Sequence, residues 1–192
     1  MHEFLSASTE DTAATSGFIT CLLNRLMQFD GATIWISSSR TVFPAALKTF
    51  GVEPDQIIFV DLEKEKDVLW TMEEALKCNR LTAVIGELRE INFTESRRLQ
   101  LAVEQSRVTG FILRQQSRIQ NTIACVSRWR ITSLQSELEE GMPGVGFPRW
   151  HAELLKVRNG YSGKWKVEWQ SNHFEEISEN IFSIEEQKRK TG

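Results

Sequence analysis

The sequence predicts an α/β fold, with a mostly parallel central sheet and antiparallel strands at its C-terminal edge. Three observations carry that expectation. Leu81–Arg114 holds two short apolar runs, Ala83-Val84-Ile85 and Gly110-Phe111-Ile112-Leu113, around one amphipathic stretch. Runs this short and β-rich read as buried parallel strands, and strand–helix–strand is a right-handed crossover unit. From Ile123 to Ile131 the period drops to two, with Ile123, Cys125, Ser127, Trp129 and Ile131 on one side and Ala124, Val126, Arg128 and Arg130 on the other. That alternation predicts a half-exposed antiparallel strand. Finally, Asn159-Gly160-Tyr161-Ser162-Gly163 joins two strand-like stretches, His151–Val157 and Lys164–Trp169, and is a hairpin signal.

Glu3-Phe4-Leu5 is a first short strand. Ser8-Thr9-Glu10-Asp11 then forms an N-cap cluster, and Phe18, Ile19, Leu22, Leu23 and Leu26 fall on one helical face with Gly31 as the stop. Ala32–Ile36 is the next strand. Pro44 suits the first turn of a short helix that Gly51 closes. Ile57–Val60 is a strand ending in Asp61, and Val68, Leu69, Met72, Ala75 and Leu76 make a helical stripe. Thr94 caps a further helix with Leu99, Ala102 and Val103 on its apolar face. Glu139–Pro148, with three glycines, is a loop. The chain has the length of one domain with a real core: residues 1–170 form it, and residues 171–192 form a tail that binds a partner or frays.

The net charge of −3 is uneven, since residues 89–130 carry eight Arg, no Lys and three Glu. Arginine forks suit phosphates and carboxylates; such a band also fits a solvated helix face with structural ion pairs. Cys21, Cys78 and Cys125 are dispersed, which suits reduced thiols in a cytoplasmic protein. The sequence shows no signal peptide and no apolar run of about 18 residues, so a soluble protein with no membrane partner is expected.

A phosphate cradle in such a sheet would lie between the first strand and first helix, and needs glycines, a Lys and a Ser or Thr. Ala7–Gly17 offers one Gly and no Lys, and the first Lys of the chain is Lys48. Glu10 and Asp11 stand where a helix N-terminus would otherwise hold an anion. His2, His151 and His173 are isolated, without metal-ligand spacing, and no nucleophile motif is visible. Glu87 reads as a strand-end carboxylate making structural hydrogen bonds. The expectation is a non-enzyme with no catalytic residue, no metal and no cofactor.

Several segments together resemble one family. They are Ile36-Ser37-Ser38-Ser39-Arg40 with Phe43-Pro44-Ala45-Ala46-Leu47, Asp67–Cys78, Ala83–Glu87, Phe93–Ala102, Thr109–Arg114, Ser127–Arg130, and Gly144–Trp150 with Leu154–Gly160. Their order and number resemble the bacterial ImuA family, RecA-like proteins of error-prone repair, over roughly residues 2–170. The resemblance implies a RecA-like three-layer core, with Ser38 and Asp61 at strand ends and Ala83–Glu87 as the Walker B-like strand. It implies that Gln115 begins the segment that contacts DNA in RecA itself. It also implies a role in DNA damage, the SOS response and translesion synthesis. The partners it implies are an ImuB-type Y-family polymerase homologue and an error-prone C-family polymerase, with DNA or RecA as further candidates. The alternatives are a SulA-like cell-division inhibitor binding FtsZ, from a related branch, and a divergent NTPase.

Two groups of site residues follow. Arg114, Gln115, Arg118, Gln120, Arg128 and Arg130 are candidate DNA contacts; Arg128 and Arg130 fit better the exposed face of an edge strand, where charge blocks association. Arg149 and an exposed Trp150 would mark a protein interface. Phe174, Ile177, Ile181 and Phe182 form an amphipathic segment that would bind a partner or pack on its own domain. Trp129, Trp165 and Trp169 read as core, and Arg97 and Arg98 as solvated or paired with Glu95.

Overall fold

The computed structural model describes residues 1–28, 31–115, 121–137 and 146–177. In chain order the elements are β1 (His2–Leu5), α1 (Thr9–Leu26), β2 (Ala32–Ser37), a 3₁₀ helix (Pro44–Phe50), β3 (Ile57–Asp61), α2 (Glu65–Leu76), β4 (Leu81–Leu88), α3 (Phe93–Ser106), β5 (Thr109–Arg114), β6 (Ser127–Leu134), β7 (Arg149–Val157), β8 (Gly163–Gln170) and β9 (His173–Glu176). The described strands form one sheet in the order β3-β2-β4-β5-β1-β6-β7-β8-β9. Strands β3 to β6 in that order run parallel, and β6-β7, β7-β8 and β8-β9 are antiparallel.

Two apolar layers sandwich the sheet. On one face α1 packs Phe18, Ile19, Cys21 and Leu23 against Phe4, Trp35, Phe111, Leu113, Ile131 and Trp150. On the other, Val68, Met72 and Leu76 of α2 and Leu99 and Ala102 of α3 meet Ile36, Val84 and Ile112. Side chains alternate across a strand, so consecutive central-strand residues such as Val84 and Ile85 serve opposite layers. Each large side chain fully buried here contributes roughly 1.5–3 kcal/mol of transfer free energy. This is why the central strands read as unbroken apolar runs.

The period-two stretch differs from expectation. Only Ser127–Leu134 is strand, and β6 is interior: it runs parallel to β1 on one side and antiparallel to β7 on the other. An interior strand keeps Arg128 because that side chain is ion-paired inside the sheet layer, as detailed below. The cap of α3 is Asn92 rather than Thr94. Asn92 Oδ1 accepts from the Glu95 amide at 2.9 Å while the Glu95 carboxylate accepts from the Asn92 amide at 2.8 Å, a reciprocal capping box. Helix α1 ends at Leu26 and is capped by Met27, whose amide donates to the Leu23 carbonyl. Residues His173–Glu176, assigned to the tail from sequence, pair with β8 as the last of the described strands.

Gly51 closes the 3₁₀ helix as expected, in the left-handed region at φ +78°. A Cβ there would sit 2.3 Å from Asn24 Nδ2, which donates to the Phe50 and Gly51 carbonyls. Gly51→Ala should therefore cost about 1–3 kcal/mol through backbone strain and the displaced amide, read as a lower urea midpoint.

Candidate functional site

In an open α/β sheet the carboxyl ends of the parallel strands are where polar side chains converge. Two buried clusters lie there. The first is built on Glu87, near the end of β4 and 3% exposed. Its carboxylate accepts from Trp35 Nε1 of β2 at 2.6 Å, from Gln115 Nε2 at 2.6 Å and from Thr41 Oγ1 at 3.4 Å. Burial raises the Glu87 carboxyl above its ordinary value of 4.5, outweighing the three donors that favour the charged form. Beside it, Arg40 pairs with Asp61 at the end of β3 at 2.8 Å, with both side chains substantially exposed.

The raised carboxyl has a pH consequence. The fold holds the Glu87 proton more tightly than the unfolded chain does, so its contribution is complete below the ordinary carboxylate value of 4.5 and is lost as pH rises through the raised value. Glu87→Gln removes that loss, and the Gln115 amide can turn its oxygen towards the new amide. Urea midpoints of the two proteins should move in the variant's favour between acid and neutral pH; a constant difference would contradict the assignment.

The second cluster is built on Glu3 of β1, which is fully buried. In the parallel register Glu3 lies opposite both Ile112 of β5 and Arg128 of β6. Arg114 is two residues beyond Ile112, hence on the same face. Arg114 Nη1 donates to Glu3 Oε1 at 3.2 Å, and Arg128 Nε donates to Glu3 Oε2. Both arginines also hold Asn121: Arg114 Nη1 donates to its Oδ1 at 2.8 Å and Arg128 Nη2 to its carbonyl at 2.7 Å. Asn121 Nδ2 donates in turn to the Ile91 carbonyl at 2.7 Å. The result is a clasp joining the two ends of the connection from β5 to β6.

This corrects the reading of two candidate DNA contacts. Arg114 is 1% exposed and its Nε is buried without a hydrogen-bond partner among the described residues. Arg128 has 11% of its side chain exposed and is not on an edge strand. Neither guanidinium is presented to a phosphate, because the nearest carboxylate already holds both. Gln115 is turned to Glu87. Arg130 is 38% exposed and pairs with Glu153, its cross-strand neighbour, at 3.0 Å. Arg118 and Gln120 lie outside the described residues.

The interface candidates change in the same way. Trp150 is 3% exposed and packs edge-on against Phe18 at 5.8 Å, with Phe50 and Phe174 beside it. The exposure expected of it is overturned; its place in β7 with Ala152 and Leu154 at two-residue spacing puts it in the core layer. Arg149 is bound by Glu168 and Glu137. Phe174 packs against Phe18 at 4.9 Å and Trp169 at 5.0 Å. Ile177 follows β9 and is half-buried, while Ile181 and Phe182 lie outside the described residues. Trp169 is core as expected, but Trp165 is 36% exposed. Arg98 pairs with Glu73 and Arg97 with Glu104, not with Glu95.

Between β1 and α1 the first helical turn is occupied by its own side chains. Ser8 Oγ accepts from the Asp11 amide at 3.1 Å and the Asp11 carboxylate accepts from the Ala7 amide at 3.3 Å. The Thr12, Ser16 and Thr20 hydroxyls donate to the carbonyls of Ser8, Thr12 and Ser16. Beside them, α1 and the Thr41–Phe50 segment enclose a cleft of about 380 Å³ whose described walls include Phe43, Leu47 and Phe50 and carry no charged side chain.

Over 181 aligned residues the chain is 31% identical to Protein ImuA of Caulobacter vibrioides, a match covering 88% of this chain and 74% of the relative in both strains compared, NA1000/CB15N and ATCC 19089/CB 15. The chain belongs to the ImuA family. This ImuA-family sheet is also similar to the crystal structure of SulA from Pseudomonas aeruginosa, with a TM-score of 0.50 and 15% identity, over 59% of this chain and 95% of SulA. That likeness concerns the fold. No family model matches the sequence. No helix among the described residues is long and apolar enough to cross a membrane.

Proposed function

We propose that this protein is a non-catalytic adaptor of an SOS-induced translesion synthesis complex. It would act by protein–protein contact, joining an ImuB-type Y-family polymerase homologue to an error-prone C-family polymerase in the cytoplasm. The observation that carries this is membership of the ImuA family over most of the chain. The first β–α turn supports the non-catalytic half. Its Ala7, Asp11 and Thr12 amides and its Thr12, Ser16 and Thr20 hydroxyls are engaged by its own side chains and carbonyls, Glu10 and Asp11 add negative charge, and the cleft beside it has no Lys or Arg among its described lining residues to meet a triphosphate. Three layers around a largely parallel sheet are consistent with a RecA-type core turned to scaffolding. Among the described candidate DNA contacts, Arg130 has the most accessible guanidinium, and a single such contact would supply only weak, salt-sensitive binding. The likeness to SulA is one of fold and does not bring FtsZ binding with it. Affinity capture of the purified polymerase homologue by the folded chain is the expected result; failure to capture it would count against the adaptor.

A further inference from the structure

His2, Thr109 and Ser127 are the first residues of β1, β5 and β6, and all three line one open groove of about 540 Å³ on the α1 face of the sheet. The groove thus lies at the amino ends of the parallel strands, away from Glu87 near the carboxyl end of β4. Its apolar lining comes from Leu22 and Leu26 of α1 and from Phe111, Trp129 and Leu154 of β5, β6 and β7. A cleft of this size, lined by aromatic and aliphatic side chains with a few polar groups, is the usual form of a small-molecule site.

The polar groups indicate what kind of molecule fits. Arg25, in the last turn of α1, is the one charged side chain among the described lining residues. It is exposed and makes no ion pair or side-chain hydrogen bond among the described residues. Trp129 Nε1 can only donate, and it does so to Ser127 Oγ at 2.8 Å. The Ser127 hydroxyl is left to donate to His2 Nδ1 at 2.7 Å, which puts the imidazole proton on Nε2. Burial holds the His2 ring down at about 4, so near pH 7 it is a neutral donor. The lining therefore holds one positive charge and one neutral N–H beside a wide apolar surface. A single negative charge balances Arg25, whereas a doubly charged phosphate would leave one charge over at the negative end of the α1 dipole. A peptide strand laid here would bring amides over Phe111 and Trp129, where the described lining has few partners for them.

We propose that this groove is a binding site for a small apolar acid, an aromatic or acyl body carrying one carboxylate. The body lies on Phe111 and Trp129, and the carboxylate meets Arg25. The inference does not depend on the adaptor reading. The probe is p-benzoylbenzoate, an aromatic acid that inserts into neighbouring C–H bonds on irradiation, with p-methylbenzophenone as its uncharged counterpart. Titrated onto the full chain, the acid should label it saturably, one molecule per chain, on peptides spanning residues 18–26, 109–111 or 154–157. Arg25→Gln, a change at an exposed helix position, should weaken the acid about five-fold and leave p-methylbenzophenone unchanged. Equal half-saturation of the two proteins by the acid would overturn the proposal, as would labelling that fails to saturate or falls outside those peptides. No labelling at all would mean that the groove is closed to small acids and would overturn it as well.

Discussion

Glu3→Ala is expected to destabilise the fold by about 3–5 kcal/mol, the scale for stranding buried charges by removing their partner. Glu3 is fully buried between two guanidiniums, and Arg114 is itself 1% exposed. Truncation leaves two cations in the sheet layer with only Asn121 as an acceptor among the described residues. Each would lose its charge-assisted bond without regaining water. A folded protein of ordinary stability has only about 5–15 kcal/mol in total, so the variant should be isolated poorly or melt far below the parent. Glu3→Gln keeps one acceptor oxygen and should fall between the two in urea denaturation. A Glu3→Ala protein as stable as the parent would mean that the clasp is not formed in solution.

Trp150→Ala should cost a similar amount, about 3–5 kcal/mol for a buried Trp. It removes the ring on which Phe18, Phe50 and Phe174 converge, so the attachment of β9 to the α1 layer weakens with it. Trp150→Phe keeps most of the volume and should lose much less. The pair separates packing from recognition. If capture of a partner falls in proportion to the folded fraction in both variants, Trp150 acts through the core. If Trp150→Phe stays fully folded yet loses the partner, the ring is read directly by that partner after all.

What the sequence made legible was whatever short-range pattern determines. The β-rich apolar runs at Ile34–Ile36, Ala83–Ile85 and Phe111–Leu113 became central strands, and Gly51 ended its 3₁₀ helix. The Asn92–Glu95 capping box was equally readable, as an N-cap residue followed three positions later by a Glu, but Thr94 competed for the role. The Glu3 clasp was not readable, because its partners lie 111 and 125 positions away along the chain. Without that contact, Arg114 and Arg128 look like a basic surface. Trp150 was misplaced for a different reason: the arginine before it suggested a surface, whereas its two-residue spacing to Ala152 and Leu154 was the stronger signal. The interior position of β6 follows from strand β1 inserting between β5 and β6, a long-range choice that alternation alone does not encode.

The most direct test is a binding titration of the purified chain with the proposed partner, an ImuB-type polymerase homologue, run in nucleotide-free buffer and repeated with magnesium ATP. On the adaptor proposal, with the Asp11 amide and the Ser8 hydroxyl already bonded to each other, the complex should form with the same affinity in both. A complex that forms only with magnesium ATP, or none at all from folded protein, would contradict the account.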